Sequence, residues 1–217
     1  MMNLENHLLG LVFPRRCFIC KKLILEDLLA CFACLGALKL PVSSTLTMNG
    51  ITVKVYSLFP YRYPFNQIVL SKFYYDTSLF SLTAKTMPYL CKNLYNKGFF
   101  EQATLVPIPI HWWRHFLRGF NQAEVFAKHI AENFELPVCN ALLRKKWTTF
   151  QSALASRERH KNVSDALTVS DGAAAQVKNR KIILIDDLCT TGATLLAAAK
   201  ALRPLAPCEI TALVICH

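Results

Sequence analysis

A chain of 217 residues suits one main domain with room for a small appendage. It is 53% hydrophobic with a mean hydropathy of +0.27, yet no apolar run nears the roughly 18 residues a membrane span needs, so a transmembrane segment is excluded. Net charge is +11, from 25 basic and 14 acidic residues, which favours polyanionic partners: nucleic acid, an acidic membrane surface or phosphorylated small molecules. The first residues, Met1-Met2-Asn3-Leu4-Glu5-Asn6-His7, lack the positive n-region of a secretory signal, and the expectation is a cytoplasmic protein.

Cys17-Phe-Ile-Cys20 and Cys31-Phe-Ala-Cys34 form a C-x₂-C, ten-residue spacer, C-x₂-C array. Each pair can make a knuckle, and four thiolates meeting one ion suit structural Zn²⁺. A redox pair of the thioredoxin kind would stand at a strand-to-helix junction of a larger unit, which this context does not offer. Lys21 and Leu35 follow the two knuckles, where glycine is common. The other cysteines, 91, 139, 189, 208 and 216, are most simply small core residues in a compartment that keeps thiols reduced.

Pro41-Val-Ser-Ser-Thr predicts a linker, so residues 1–45 are expected as a zinc-binding module and residues 46–217 as the main domain. Residues 51–58 alternate as a half-exposed strand, and residues 65–75 and 78–96 carry helical spacing. Residues 103–109 predict a strand ending in a proline-rigid loop. Next comes His111-Trp112-Trp113-Arg114-His115-Phe116-Leu117-Arg118, which interleaves aromatic and basic side chains as a single-strand nucleic-acid surface does. Packing of Trp112 and Trp113, or a lid role over a ligand, would use the same residues. The Leu8–Phe13 run could add a weaker membrane or partner surface. Gly-Phe-Asn-Gln opens an amphipathic helix over residues 122–134. Arg144-Lys145-Lys146-Trp147, with Arg157, Arg159 and Lys161, adds a second basic run.

The most informative stretch is Ile182-Ile-Leu-Ile-Asp186-Asp187-Leu-Cys189-Thr190-Thr191-Gly192-Ala193-Thr194. Four aliphatic residues predict a parallel strand buried on both faces. The acid pair marks its carboxyl end, where such sheets bind ligands. The hydroxyl-rich turn offers backbone N–H groups to a phosphate at a helix start. An ordinary capped turn needs only one short polar residue. The acidic strand of a nucleotide-hydrolysing motor would require a Gly-x-x-x-x-Gly-Lys-Ser/Thr loop, and none of the seven glycines opens one. A helix over 193–202 and a strand over 209–216 complete a strand–helix alternation that implies a mainly parallel sheet.

This run resembles the phosphoribosyl-pyrophosphate (PRPP) motif of type I phosphoribosyltransferases. With the knuckles, the 106–124 segment and Thr149, Gln151 and residues 156–163, the whole order resembles the ComF family of competence proteins. The resemblance implies an α/β fold: a type I phosphoribosyltransferase-like parallel sheet flanked by helices, with a small N-terminal zinc knuckle. It implies that Asp186 and Asp187 hold the ribose hydroxyls, with Mg²⁺, while Thr190, Thr191, Gly192, Ala193 and Thr194 cradle the 5′-phosphate. Arg114 and Arg118 become candidates for the pyrophosphate, and Trp112, Trp113, Lys145 and Lys146 for nucleic acid. The implied role is natural transformation, with single-stranded DNA as a partner and competence-machinery proteins at the inner membrane surface as others. The alternative is an active amidophosphoribosyltransferase-like enzyme acting on a small-molecule acceptor in nucleotide salvage. No residue declares itself as a catalytic base; His111 and His115 are loop histidines that serve equally well as surface residues. Cys189 departs from the small aliphatic residue usual in the motif. Trp112 and Trp113 stand where basic residues are common.

Overall fold

The computed structural model describes residues 15–25, 27–38, 42–70, 77–110, 116, 119–144 and 167–217. The aliphatic run becomes strand β6, Lys181–Leu188, in the interior of a five-stranded sheet of order β1-β2-β7-β6-β3. Its neighbours are β7 (Glu209–Cys216) and β3 (Ala103–Pro107), both parallel to it. Strand β2 (Ile51–Phe59) runs parallel to β7, and β1 (Val42–Met48) pairs antiparallel with β2 at the edge.

Alternate side chains of these strands enter two cores, as the period of two requires. Ile183, Ile185, Leu213 and Ile215 face helices α3 (Thr77–Tyr95) and α4 (Gln122–Phe134), meeting Met87, Leu90, Phe126 and Ile130. Ile182, Leu184, Ala212 and Val214 face the opposite layer, where helix α6 (Ala193–Leu202) contributes Leu195, Ala199 and Leu202. A two-stranded ribbon, β4 (Leu142–Arg144) with β5 (Leu167–Val169), and a short helix α5 (Ala174–Val177) complete this layer. The expected parallel sheet with helices on both faces is therefore present. Among the described residues, no helix is long and apolar enough to cross a membrane.

The linker expected at residues 41–45 is corrected. Val42–Met48 is a strand, and it crosses the division expected between residues 45 and 46. Its serines and threonines are tolerated because this edge strand is largely exposed. What fixes it is the turn: Asn49 (φ 52°) and Gly50 (φ 73°) supply the two left-handed residues a tight hairpin needs. Of the helix expected over residues 65–75, the described part is α2, Asn66–Leu70.

The cysteine-bearing segment docks on the main body through helix α3. The Leu29 N–H donates to Thr86 Oγ1 at 2.8 Å, and Leu29 is buried in the first core cluster. Asp27 pairs with Arg15 of its own segment and with Lys85 of α3. Phe32 and Tyr89 pack ring to ring, 5.6 Å between centroids. Helix α1, Phe32–Ala37, carries Cys34.

Candidate functional site

Two loops leave the same edge of the sheet because β3 and β6 run parallel. Pro107 is in register with Ile185, and the Ile108 N–H donates to the Ile185 carbonyl at 2.9 Å. The segment after β3 thus starts beside the acid pair. Strand β4 ends there too: Arg144 Nη1 donates to the Pro109 carbonyl at 3.5 Å. Asn121, 2% exposed, closes the arrangement. As N-cap of α4 it accepts from the Ala123 N–H at 3.2 Å, and its Nδ2 donates to the Ile108 carbonyl (3.0 Å) and Glu124 (3.1 Å). That anchoring role was not legible in the sequence, because its partner carbonyl lies across the loop.

Asp186 and Asp187 are half-buried at the end of β6. Asp186 Oδ1 accepts from the Asp187 N–H at 2.8 Å, which turns one carboxylate back onto the backbone. Thr190 and Thr191 are exposed. Thr191 Oγ1 accepts a long bond from the Ala193 N–H at 3.4 Å, and Gly192, at φ 73° and ψ 2°, starts helix α6. The acid pair and the turn lie together as expected. A Cβ at Gly192 would lie 2.1 Å from Leu46 Cδ1 of β1.

Cys189, 3% exposed, sits under the turn, with its N–H bonded to the Cys216 carbonyl. Burial pushes its thiol up to about 11, Asp186 adds to the rise, and a backbone bond from Gly192 opposes it. A raised thiol favours the neutral form, so its contribution to stability is full at neutral pH and is lost as pH rises through about 11. Cys189 should resist iodoacetamide at pH 8 while the exposed Cys208 is labelled, as peptide mapping of the native protein would show. Equal labelling of both would contradict this placement.

The Sγ atoms of Cys17, Cys20, Cys31 and Cys34 lie within 4.8 Å of one another. Zn–S bonds of about 2.3 Å in a tetrahedron give S···S edges of about 3.8 Å, and Cys20 and Cys31 Sγ stand 3.8 Å apart. For Cys17, burial raises the thiol's proton affinity. Bonds from the Cys20, Cys31 and Ile19 N–H groups outweigh it and bring the thiol down to about 6. Cys34 is pushed up to about 12 by burial, then by the neighbouring thiols and the Cys17 charge. The Cys17 thiolate therefore forms readily while Cys34 resists ionisation, and a divalent cation would supply the charge that offsets this. Lys21 takes the left-handed conformation (φ 62°) where a knuckle glycine would stand, and its ammonium donates to the Phe18 carbonyl at 2.9 Å. Four sulfurs in this geometry can hold a metal such as zinc.

Trp112, Trp113, Arg114, Arg118, Lys145 and Lys146 lie outside the described residues, as do His111, His115, Trp147, Thr149, Gln151, residues 156–163 and the Leu8–Phe13 run. Phe116, within the first of these segments, is described and 75% exposed.

Residues 121–217 match the phosphoribosyl transferase domain family. Competence protein F of Haemophilus influenzae is 30% identical over 107 residues, 49% of this chain and 46% of that protein. Competence protein ComFC of Bacillus subtilis is 41% identical over 98 residues, 45% and 37% of the two chains. These similarities support a ComF-family phosphoribosyltransferase-like protein. Another relative is the DNA utilization protein YhgH of Escherichia coli, 28% identical over 99 residues, 45% of this chain and 42% of that one. The chain spans less than half the length of these curated relatives. A solved structure of the allosteric regulatory enzyme of purine biosynthesis covers 60% of this chain and 25% of its own, at 17% identity and a TM-score of 0.40, too distant to bear on function.

Proposed function

We propose that this chain binds PRPP with Mg²⁺ at the carboxyl edge of its sheet and handles single-stranded DNA in natural transformation. The observation that carries the PRPP reading is the convergence at one sheet edge of the acid pair, the turn 190–194 and the start of the loop after β3. Asp186 and Asp187 would take the ribose hydroxyls, and Thr190, Thr191, Gly192, Ala193 and Thr194 the 5′-phosphate. Arg114 and Arg118, which follow β3 in sequence, would pair with pyrophosphate oxygens through their planar guanidinium forks. Half-buried carboxylates are hard oxygen donors that suit Mg²⁺, which when bound neutralises pyrophosphate charge.

Calorimetry on the zinc-loaded protein should show Mg²⁺-dependent PRPP binding that is lost when Asp186 and Asp187 are both replaced by alanine. Unchanged affinity in that variant would overturn the reading. Pyrophosphate release with candidate bases, amines and single-stranded DNA present would separate a transferase from a binding protein.

The DNA role is supported by the names of the relatives, competence and DNA utilization proteins, and by the charge of +11. The exposed Phe116 adds an aromatic surface within the 111–118 segment. The basic run Arg144-Lys145-Lys146-Trp147 begins with Arg144, which donates to the Pro109 carbonyl at the same edge. Fluorescence anisotropy on an unstructured oligonucleotide should show affinity falling steeply with salt. Replacing Trp112 and Trp113 by alanine should weaken binding across sequences by about 1–3 kcal/mol for each base stack lost. Charge reversal at Lys145 and Lys146 should flatten the salt dependence. No binding at physiological salt, with PRPP affinity intact, would leave PRPP binding without the DNA role.

A further inference from the structure

Gln122 is the first residue of α4 and 3% exposed, fixed in place by the bonds of its neighbour Asn121. Its Nε2 is one of three buried side-chain polar atoms among the described residues with no hydrogen-bond partner. A buried donor left unmet costs about 1–3 kcal/mol, and native folds keep such groups only with a reason. The surroundings suggest one. Gln122 lines a small recess walled by Ile68, Phe80, Phe126 and Ile215, and the other polar residue lining it is Asp187. The apolar side chains of this wall offer an amide nothing, and Asp187 is the lining residue whose side chain can accept a hydrogen bond.

We infer that Gln122 is a positioning residue for Asp187: when ligand is bound, its side-chain amide donates to the Asp187 carboxylate and fixes the direction in which the other carboxylate oxygen points. This rests on the PRPP reading above. In a recess shielded by aromatic and aliphatic side chains, a hydrogen bond to a charged acceptor is strong. In the ligand-free protein the amide contributes nothing to stability, because its donor is unmet.

Gln122→Met keeps length and shape without the donor. It should leave the thermal midpoint unchanged or raised and weaken PRPP binding, measured calorimetrically with Mg²⁺, by about tenfold or more. Gln122→Glu sets a second carboxylate beside Asp187. It should weaken PRPP binding more than Gln122→Met does, because it replaces the donor with a like charge, while Gln122→Asn, which keeps a shortened amide donor, should recover part of the lost affinity. A merely structural glutamine would give a lowered midpoint and unchanged affinity in these variants, and that result would overturn the inference. If the wild type binds PRPP and the variants bind it equally well, only the role of Gln122 falls. If the wild type binds none, the PRPP reading falls and the inference with it.

Discussion

Losing the metal site should unfold the N-terminal module and release it from helix α3. The module's own core is Cys17, Ile24 and Ala30, far too little burial to order a segment of this length. Zinc held by four thiolates supplies apparent free energies of about 10–16 kcal/mol in small finger peptides, and here that would be the module's folding free energy. The purified protein should carry about one equivalent of zinc by elemental analysis, as one four-sulfur site requires. Cys31→Ser should lower that content. It should also remove hydrogen-exchange protection from the Leu29 amide, whose partner is Thr86 on α3. Docking contacts of Phe32 with Tyr89 and of Asp27 with Lys85 would be lost together. Full zinc content in Cys31→Ser, with Leu29 still protected, would contradict the assignment.

Gly192→Ala should destabilise the main domain chiefly through left-handed backbone strain of about 1–2 kcal/mol, with a smaller steric share because the atom met ends a flexible side chain. Both causes are visible at the turn. The residue sits at φ 73°, and its new methyl would lie 2.1 Å from Leu46 Cδ1. Leu46 is half-exposed and its Cδ1 ends a flexible side chain, so the steric part can be separated from the backbone part. Leu46→Ala in the Gly192→Ala background should restore only the steric share, as urea denaturation of the four proteins in the cycle would measure. Gly192→Val should cost more than alanine because of its branched Cβ. Wild-type stability in Gly192→Ala would contradict the observed backbone.

The sheet's interior was legible because β6 is buried on both faces, so Ile182 to Ile185 form an unbroken aliphatic run with no helical spacing. Helix α4 was legible from its apolar stripe, and helix α6 from the apolar run after the turn. Strand β1 was not. Its serines and threonines serve an exposed edge, and the Asn49-Gly50 turn that announces a hairpin carries the stronger signal. The acid pair and the turn declared themselves by residue type. Long-range properties did not: Leu46 behind Gly192, Gln122 beside Asp187 and the carbonyl that holds Asn121 all come from distant parts of the chain. The four cysteines converge as their spacing predicts, since two short knuckles can meet only if the ten residues between them fold back. The Cys17 N–H bonded to the Lys22 carbonyl and the Arg16–Leu23 bridge make that return.

A crystal structure of the zinc-loaded protein with PRPP and Mg²⁺ tests the central claim most directly. The result predicted is one PRPP at the carboxyl edge of β6, with its 5′-phosphate on the backbone N–H groups of residues 190–194, its ribose hydroxyls on Asp186 and Asp187, and the Gln122 amide turned to Asp187. A ligand bound elsewhere, or a turn left empty at saturating PRPP, would contradict it.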